Sequence, residues 1–502
     1  MTATATTATA VQAPAETFDS LDPATGAVHS TWPVHSAEQV EAAVVRARAA
    51  SATWADLGFA GRRQRLTAWR GEIARRMAEL ADLVHAENGK PVPDALLEIT
   101  LALDHIAWAG RNAARVLGPR SVRVGLLAAN QAATLEYPPF GVVGVLGPWN
   151  YPVFTPMGSL AYALAAGNAV VFKPSEHTPA IGSWLVEAWR TANPDLGDVL
   201  QLVTGSGPTG AALCRAGVDK IAFTGSATTG RKVMAACAEG LVPVLMECGG
   251  KDAMIVTDGA DVAAAADAAL WGAMSNAGQT CIGIERVYVT AGAYDGFLDE
   301  LTRRAARLRP GSHEGASYGP ITMASQAGVV ARHITDALSR GGRAVTGGTV
   351  DGAWVTPTVL VDVPEDSSAV TEETFGPTVT VTRVPDVDEA LRRTNATSYG
   401  LAGSVFAASS KAGVEIARRM RSGMTSVNAV ITFATVPGLP FGGVGDSGFG
   451  RIHGDDGLRE FTRAKAITRQ RYALPVPLLS FDRPAAATGL LVKAVRLLHG
   501  RG

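Results

Sequence analysis

Short, wholly apolar runs recur along the chain, and each is separated from the next by a stretch long enough for a helix. Runs that are apolar throughout are typical of strands buried on both faces of a sheet. Strands that alternate with helices predict a parallel, doubly wound α/β sheet. The first series comprises residues 141–146, 169–172, 200–203, 220–223 and 242–246. A second series comprises residues 286–289, 343–345, 354–360, 379–384, 401–406 and 425–427, so the sequence predicts two doubly wound α/β domains.

A chain of 502 residues is too long for a single hydrophobic core, so we expect several domains. Residues 121–140 resemble a hairpin, which can pair with residues 459–474 in a small β element that bridges to a partner subunit through its exposed edge. The predicted divisions are a disordered tail at 1–16, a first domain at 17–120 and 141–247, a second at 248–458, the bridging β element, and a C-terminal tail at 475–502.

Composition excludes several classes of protein. The 45 basic residues nearly cancel the 46 acidic ones, so overall charge favours neither nucleic acid nor an anionic membrane as a partner. No apolar run is long enough for a membrane-spanning helix. Four cysteines in a chain of this length do not form a disulfide framework, and the N-terminus lacks the features of a signal peptide. We therefore expect a cytoplasmic protein, and we expect no metal site.

The C-terminal tail contains a segment, residues 490–498, whose pattern predicts a short amphipathic helix. Lys493 and Arg496 fall on one side of this helix. Its role could be a subunit contact, a frayed chain end or contact with a membrane surface.

One cysteine stands in an unusual setting, Gly278-Gln279-Thr280-Cys281-Ile282-Gly283, between a helical run at 262–274 and a strand-like run at 286–289. Buried structural cysteines are usually surrounded by apolar side chains, whereas this one has small and polar neighbours, and glycines let backbone and ligand approach closely. Cys281 is either a small core residue or a reactive nucleophile, and the rest of the chain must decide between them.

Four further motifs follow predicted strands, where ligands of parallel sheets bind. Each has a chemical and a structural interpretation. Asn150 could donate to an oxyanion or cap a helix, and Glu247 could be a general base or a residue at a domain hinge. Lys173 and Glu176 could bind ribose hydroxyls or form a surface ion pair. The turn Thr224-Gly225-Ser226 could hold phosphate at a helix N-terminus or simply cap that helix.

Together, in this order and spacing, these motifs resemble the aldehyde dehydrogenase superfamily from about residue 17 to 470. Glu247 and Cys281 are 34 positions apart, as in that family. Two later segments, residues 372–377 and 440–448, also match its motifs. One departure is Cys248, which stands next to Glu247 where most relatives carry leucine.

The resemblance implies a Rossmann-like cofactor domain, a catalytic domain and roles for particular residues. Cys281 is then the nucleophile, Glu247 the base, and Asn150 with the Cys281 amide the oxyanion hole. The implied cofactor-binding residues are Trp149, Lys173, Glu176, Gly207, Pro208, Thr224, Gly225, Ser226, Glu373 and Phe375. The residues expected near the substrate tunnel are Phe154, Met157, Ile282, Phe433 and Phe441, which are largely apolar.

We therefore predict oxidation of an apolar aliphatic or aromatic aldehyde to its acid, through a thiohemiacetal and a thioester on Cys281. NAD is favoured over NADP because the Glu176 carboxylate would repel a 2′-phosphate, although Lys173 weakens that preference. Succinic semialdehyde remains an alternative substrate. Three competing functions are a cysteine hydrolase without a redox step, an enzyme that passes the thioester to coenzyme A, and a non-enzymatic relative. The family forms homodimers and homotetramers, and the sequence does not choose between them.

Overall fold

The computed structural model describes residues 16–125, 128–474 and 480–500. The predicted tail at residues 1–16 lies outside the described residues except for Glu16. The helices are α1 Ala37–Asp56, α2 Gly58–Arg75, α3 Met77–Asn88, α4 Val92–Leu117, α5 Phe154–Ala166, α6 Pro179–Ala192, α7 Gly207–Arg215, α8 Ala227–Ala238, α9 Val262–Met274, α10 Tyr294–Ala305, α11 Ala324–Ser339, α12 Ser368–Thr371, α13 Val387–Thr394, α14 Ser410–Ala417, α15 Gly454–Glu460 and α16 Ala485–His499.

The strands that the structure describes form five sheets. They are β1 Thr17–Leu21, β2 Val28–Pro33, β3 Arg120–Val122, β4 Gln131–Glu136, β5 Val142–Leu146, β6 Ala169–Lys173, β7 Leu200–Leu202, β8 Lys220–Gly225, β9 Val244–Cys248, β10 Ala253–Val256, β11 Arg286–Thr290, β12 Arg343–Thr346, β13 Val350–Asp351, β14 Trp354–Val355, β15 Thr358–Val361, β16 Thr378–Val384, β17 Gly403–Phe406, β18 Ser426–Val427, β19 Gly448–Phe449 and β20 Lys465–Gln470.

The first large sheet has the order β19-β9-β8-β5-β6-β7. Strands β9 to β7 are parallel, and β19 pairs antiparallel with β9. Strands β5 and β6 are buried at every residue, as their apolar runs predict. The chain runs from β5 through β6 to β7 and then returns to β8 on the other side of β5. The strand order therefore reverses between β5 and β8, the position where open α/β sheets bind ligands.

The second large sheet has the order β12-β15-β16-β11-β10-β17-β18, and all its strands are parallel except the edge strand β12. Its core contains α9 and α10, with Val256, Phe297 and Val289 fully buried. This confirms the predicted α/β fold class with parallel sheets.

Three details of the sequence prediction are wrong. The strand β10 was not among the predicted runs, because its four residues follow a charged Lys-Asp pair. The predicted strand at 354–360 is two strands, since Thr356-Pro357 interrupts it and proline lacks a backbone donor. Within the predicted β element at 459–474, the strand begins only at Lys465, because α15 continues to Glu460.

The chain divides into two compact units. One unit comprises residues 1–116 and 139–462 and contains both large sheets. The other comprises residues 117–138 and 463–502, and its three-stranded antiparallel sheet has the order β20-β4-β3. In this sheet Lys465 pairs with Glu136 and Arg120 with Leu135. The finer domain limits given above stay a prediction.

Within the described residues, no helix is both long enough and apolar enough to cross a lipid bilayer.

Candidate active site

Cys281 lies on a loop between α9 and β11 whose backbone is unusual. Three consecutive residues, Asn276, Ala277 and Gly278, have φ of 52°, 54° and 70°. A Cβ on Gly278 would lie 2.1 Å from the carbonyl oxygen of Gly376, so only glycine fits there. Non-glycine residues in this region cost free energy and are found mainly where surrounding structure enforces them, often at functional sites.

Two cavities meet at Cys281, and we name them the tunnel and the cleft. Cys281, Cys248 and Thr224 border both cavities. The thiol is therefore accessible to one molecule in the tunnel and to another in the cleft.

Glu247 also lines the tunnel, at the end of β9. It is buried, and within the described residues both of its carboxylate oxygens lack a hydrogen-bond partner. Gly442 approaches it so closely that a Cβ there would lie 2.7 Å from its Oε1. Burial raises the pKa of the Glu247 carboxyl well above its usual range, and the Arg451 guanidinium opposes this shift. A carboxyl with a raised pKa and free oxygens is suited to take up a proton.

The Cys281 thiol is itself held in the protonated form. Burial raises its pKa, and the nearby carboxylates of Glu373, Asp252 and Glu247 raise it further, while a hydrogen bond with the Ile282 backbone lowers it. The thiolate is the nucleophilic form, so a proton acceptor is needed. Glu247 lines the same tunnel and can serve as that acceptor.

Asn150 follows β5, and its side chain and its backbone carbonyl are held by separate hydrogen bonds. Its side-chain nitrogen donates to the Gln279 carbonyl at 3.0 Å, which ties it to the Cys281 loop. Its own carbonyl accepts from Asn276 Nδ2 at 2.9 Å and from Lys90 Nζ at 3.1 Å. The side-chain amide carries a second hydrogen, which is the one available to a ligand.

A buried ion pair supports this loop. Lys90 and Glu98 have fully buried side chains that contact each other directly, and both line the tunnel. Glu98 also accepts the backbone N–H groups of Val153 and Phe154, at 2.8 and 3.0 Å, at the start of α5. Sequence reasoning missed this pair, because Lys90 and Glu98 have no spacing that distinguishes them from surface charges on a helix.

The cleft brings together eight of the residues predicted to act on cofactor or substrate. They are Trp149, Asn150, Thr224, Gly225, Ser226, Cys281, Glu373 and Phe375. Ser226 is the N-cap of α8 and its hydroxyl accepts from the Thr229 amide, so the predicted helix N-terminus opens into the cleft. Such a terminus favours phosphate.

Glu373 and Phe375 form the opposite wall of the cleft. Glu373 Oε1 accepts from the Gly250 amide at 3.0 Å, and burial raises its pKa to about 8. The Phe375 ring meets Trp149 edge-on, with centroids 5.5 Å apart. A Cβ on Gly249 would lie 2.0 Å from Glu373 Oε1, so this glycine is required for the carboxylate to reach its position.

A second buried pair, Lys251 with Glu285, holds that wall. The side chains contact each other, Lys251 Nζ donates to Thr374 Oγ1 at 3.0 Å, and Glu285 accepts the Thr374 and Phe375 amides. Phe375 has a φ of 51°, which these bonds help to enforce. This pair is also absent from the sequence predictions, although Glu285, an acidic residue immediately before the buried strand β11, was a usable signal.

The remaining predicted cofactor residues lie outside the lining of the cleft. Lys173 ends β6, and its Nζ is 3.8 Å from Glu176 Oε2. Burial lowers the pKa of Lys173, while Glu176 remains 40% exposed. Gly207 and Pro208 open α7, whose first turn is adjacent to the Lys173 side chain. Lys173 and Glu176 therefore lie at the end of β6, and Gly207 and Pro208 lie at the start of α7.

Three of the predicted substrate residues, Phe154, Ile282 and Phe441, line the tunnel. Met157 is fully buried in α5, and Phe433 lies beside Phe441 with ring centroids 6.4 Å apart; neither is among the described lining residues. Other apolar residues complete the wall: Leu97, Leu101, Trp271, Leu401, Ile431, Ala434 and Ile452. The tunnel is thus apolar along most of its wall. The charged or reactive side chains that also line it are Lys90, Asp94, Glu98, Glu247, Cys248 and Cys281.

A family model and individual relatives both match this chain to aldehyde dehydrogenases or aldehyde-oxidising enzymes. A model of the aldehyde dehydrogenase family matches residues 10–467, and residues after 467 lie outside that match. The chain is 36% identical over 462 residues to 4,4′-diapolycopene aldehyde oxidase of a Methylomonas species, covering 91% of this chain and 87% of the relative. It is 35% identical over 497 residues to a provisionally assigned succinate-semialdehyde dehydrogenase (NADP(+)) of Mycolicibacterium smegmatis, covering 95% and 94%.

Solved structures agree with these relatives. The NAD-dependent aldehyde dehydrogenase from Sinorhizobium meliloti superposes with a TM-score of 0.88 at 33% identity, covering 93% of each chain. Lactaldehyde dehydrogenase from Escherichia coli superposes with a TM-score of 0.87 at 29% identity, covering 91% of this chain and 96% of that one.

Proposed function

This chain belongs to the aldehyde dehydrogenase family, and we propose that it oxidises an apolar aldehyde with NAD, using Cys281 as nucleophile and Glu247 as base. One observation carries the proposal: Cys281 borders both the apolar tunnel and the cleft that contains the helix N-terminus of α8. A thiol between two such cavities can hold an aldehyde while a dinucleotide lies on its other side.

The residues of the cleft fit a dinucleotide. The free end of α8 with Ser226 suits a pyrophosphate, Glu373 suits ribose hydroxyls, and Phe375 with Trp149 forms an apolar wall for the nicotinamide end. When bound, NAD supplies a hydride acceptor. Every other step belongs to side chains of this chain.

In the first half of the reaction, Glu247 accepts the Cys281 proton and the thiolate attacks the aldehyde carbon. The oxygen that becomes negatively charged is stabilised by the free amide hydrogen of Asn150, a device worth about 3–4 kcal/mol for each donor. Loss of hydride then leaves a thioester on Cys281. Glu247 then releases the Cys281 proton to solvent. In the second half, Glu247 takes a proton from water, and the resulting hydroxide attacks the thioester carbon. The bond to sulfur breaks, giving the carboxylic acid and the Cys281 thiolate, which recovers its proton from Glu247.

Replacing the nucleophile tests this proposal. Cys281→Ala should abolish formation of both NADH and acid, measured at the NADH absorbance band and by product analysis. Cys237→Ala, a buried cysteine of α8 outside the described lining of both cavities, is the matched control and should retain activity. Acid and NADH formation at the parental rate in Cys281→Ala would refute the proposal, and ester cleavage without NADH would favour a hydrolase.

The tunnel wall supports an apolar substrate. Among the described lining residues the cation is Lys90, and its charge is already paired with Glu98. Asp94 also lines the tunnel and would repel a substrate with a second carboxylate. A comparison of kcat/KM for hexanal, benzaldehyde and succinic semialdehyde tests this point. A clear preference for the semialdehyde would show that the apolar assignment is wrong and would favour the second candidate, which the name of the mycobacterial relative supports.

The preference for NAD rests on Glu176, which is exposed beside Lys173 and would repel a 2′-phosphate. Glu176→Gln should lower the ratio of kcat/KM for NAD to kcat/KM for NADP, because the repulsion of the 2′-phosphate is removed. Equal use of both cofactors by the parental enzyme would contradict the assignment.

We further propose that the enzyme is a cytoplasmic homodimer or homotetramer. Its thiol chemistry needs a reducing compartment, and β20 and β3 are edge strands of the small sheet that another subunit can extend. Sedimentation velocity of the full chain measures the oligomeric state, and a monomer would contradict this assembly.

A further inference from the structure

The C-terminal part of the chain has no role in the reaction described above. Most of it follows residue 467, where the family match ends, and it belongs to the smaller compact unit. We propose that the residues from 463 onward, here named the basic tail, bind the surface of an anionic lipid bilayer through α16. This function is independent of the aldehyde chemistry.

The charge of the basic tail differs from that of the rest of the chain. Residues 463–502 contain eight basic residues and one acidic residue, Asp482, for a net charge of +7. The whole chain has a net charge of −1, so the remaining residues carry a net charge of −8. The overall balance therefore concealed a strongly basic segment, and such segments are attracted to anionic lipid headgroups.

The apolar side chains of α16 are exposed to an unusual degree. Leu490 and Leu497 are 69% and 71% exposed, and they lie seven residues apart on one side of the helix. Four more large apolar residues of α16 are also exposed: Leu491, Val492, Val495 and Leu498. Phe481, shortly before the helix, is fully exposed. Apolar surface of this density is normally covered by a partner.

The cations of α16 lie on a different side from most of this apolar surface. At 100° per residue, Leu490, Leu491, Leu497 and Leu498 form one stripe, whereas Lys493 and Arg496 project from the other flank. A helix with leucines on one side and cations on the other is the arrangement that lies flat at a bilayer surface, with its apolar side among the acyl chains.

The length of α16 agrees with a position along the surface. Its 15 residues extend roughly 22 Å at 1.5 Å per residue, less than the roughly 30 Å of a bilayer's hydrocarbon core. The helix also contains two cations and a histidine, which would be costly at the centre of a membrane.

A second copy of the chain is a poorer occupant for this surface. In a symmetric contact through α16 the helix would meet itself, so Lys493 and Arg496 of the two copies would lie in one interface, and α16 contains no acidic residue to offset them. An anionic bilayer supplies counter-charges and accepts the leucines at the same time. The observations therefore favour lipid over a second copy of the chain as the occupant of the α16 surface.

Flotation of the full-length protein with lipid vesicles tests the proposal. The parental protein should float with mixed phosphatidylcholine–phosphatidylserine vesicles and much less with pure phosphatidylcholine vesicles, and added salt should weaken the binding. Lys493→Gln with Arg496→Gln should lower the partition coefficient about thirtyfold, since each cation near an anionic surface contributes about a factor of five. Leu490→Ser with Leu497→Ser should also release the protein from vesicles.

A matched control is Leu338→Ser, which changes an exposed leucine at the end of α11 and should float like the parental protein. Oxidation of a short aldehyde without vesicles should be unchanged in all these variants, which shows that they are folded. Failure of the parental protein to bind anionic vesicles overturns the proposal, as does binding that neither tail variant reduces. Dissociation of an oligomer by the leucine variant, with no lipid binding by the parental protein, would instead identify a contact between subunits.

Discussion

Lys90 is the residue whose replacement tests how the fold holds Asn150. Its ammonium group contacts Glu98, donates to the Asn150 carbonyl at 3.1 Å, and lies 3.8 Å from the centre of the Tyr151 ring. Lys90→Met removes the charge but keeps most of the side-chain volume. Glu98 is then left buried without its cation, although it retains two backbone N–H donors.

The variant should lose both stability and activity, for different reasons. Removing one partner of a buried ion pair costs about 3–5 kcal/mol of unfolding free energy. The effect on chemistry acts through Asn150, so its upper limit is the value of one oxyanion donor, about 10²–10³ in kcat. Urea denaturation measures the first effect, and the rate of the first NADH turnover measures the second.

A double-mutant cycle separates positioning from general damage. If Lys90 acts through Asn150, then Lys90→Met should reduce kcat strongly in the parental enzyme but very little in an Asn150→Ala background. Lys251→Met is the matched control, because Lys251 is equally buried and paired but supports the Thr374 side of the cleft. It should lose similar stability and raise KM for NAD, without coupling to Asn150. An equal loss of kcat for Lys90→Met in both backgrounds would refute this reasoning.

Three further results are expected. Glu247→Gln should slow both the first NADH turnover and steady-state turnover by about 10²–10⁴, because Glu247 accepts the Cys281 proton in the first half of the reaction and a water proton in the second. Because burial raises the pKa of Glu247, parental turnover should rise with pH through that pKa, and a variant with the same pH profile would contradict its role as base. Burial raises the pKa of Glu373 to about 8, so NAD should bind more tightly as the pH rises through that value and the carboxyl ionises. When Kd for NAD is measured as a function of pH, this dependence should disappear in Glu373→Gln. Gly278→Ala places a Cβ 2.1 Å from a carbonyl oxygen at a φ of 70°. Denaturation should therefore show an unfolding free energy lower by about 1–3 kcal/mol, and activity should be lost. A fully active, stable variant would show that the loop relaxes.

Much of the fold was predictable from the chain, because the period of apolar residues is a local property. The runs at 141–146 and 169–172 became the fully buried strands β5 and β6. The predictions failed where a local pattern was ambiguous: β10 is only four residues long, and Thr356-Pro357 divides what resembled one strand.

The candidate site was likewise predictable from the sequence only in part. Motifs that occupy a few consecutive residues, such as Gly278–Gly283 around Cys281, predicted candidate reactive groups, and the structure places Cys281 and Glu247 at one cavity. The supporting pairs Lys90–Glu98 and Lys251–Glu285 went unnoticed, although each contributes several hydrogen bonds to the site.

The sequence by itself determined the alternation of strands and helices, the candidates for the reactive groups and the presence of a basic tail, since all of these depend on residue type and short spacing. Only the tertiary structure decided that Cys281 borders two cavities, that Glu247 is buried with unpartnered oxygens, and that the leucines of α16 are exposed. Burial and charge pairing depend on residues far apart in the chain, as Lys90 and Asn150 are at a separation of 60 positions. No local pattern can specify such a contact before the chain has folded.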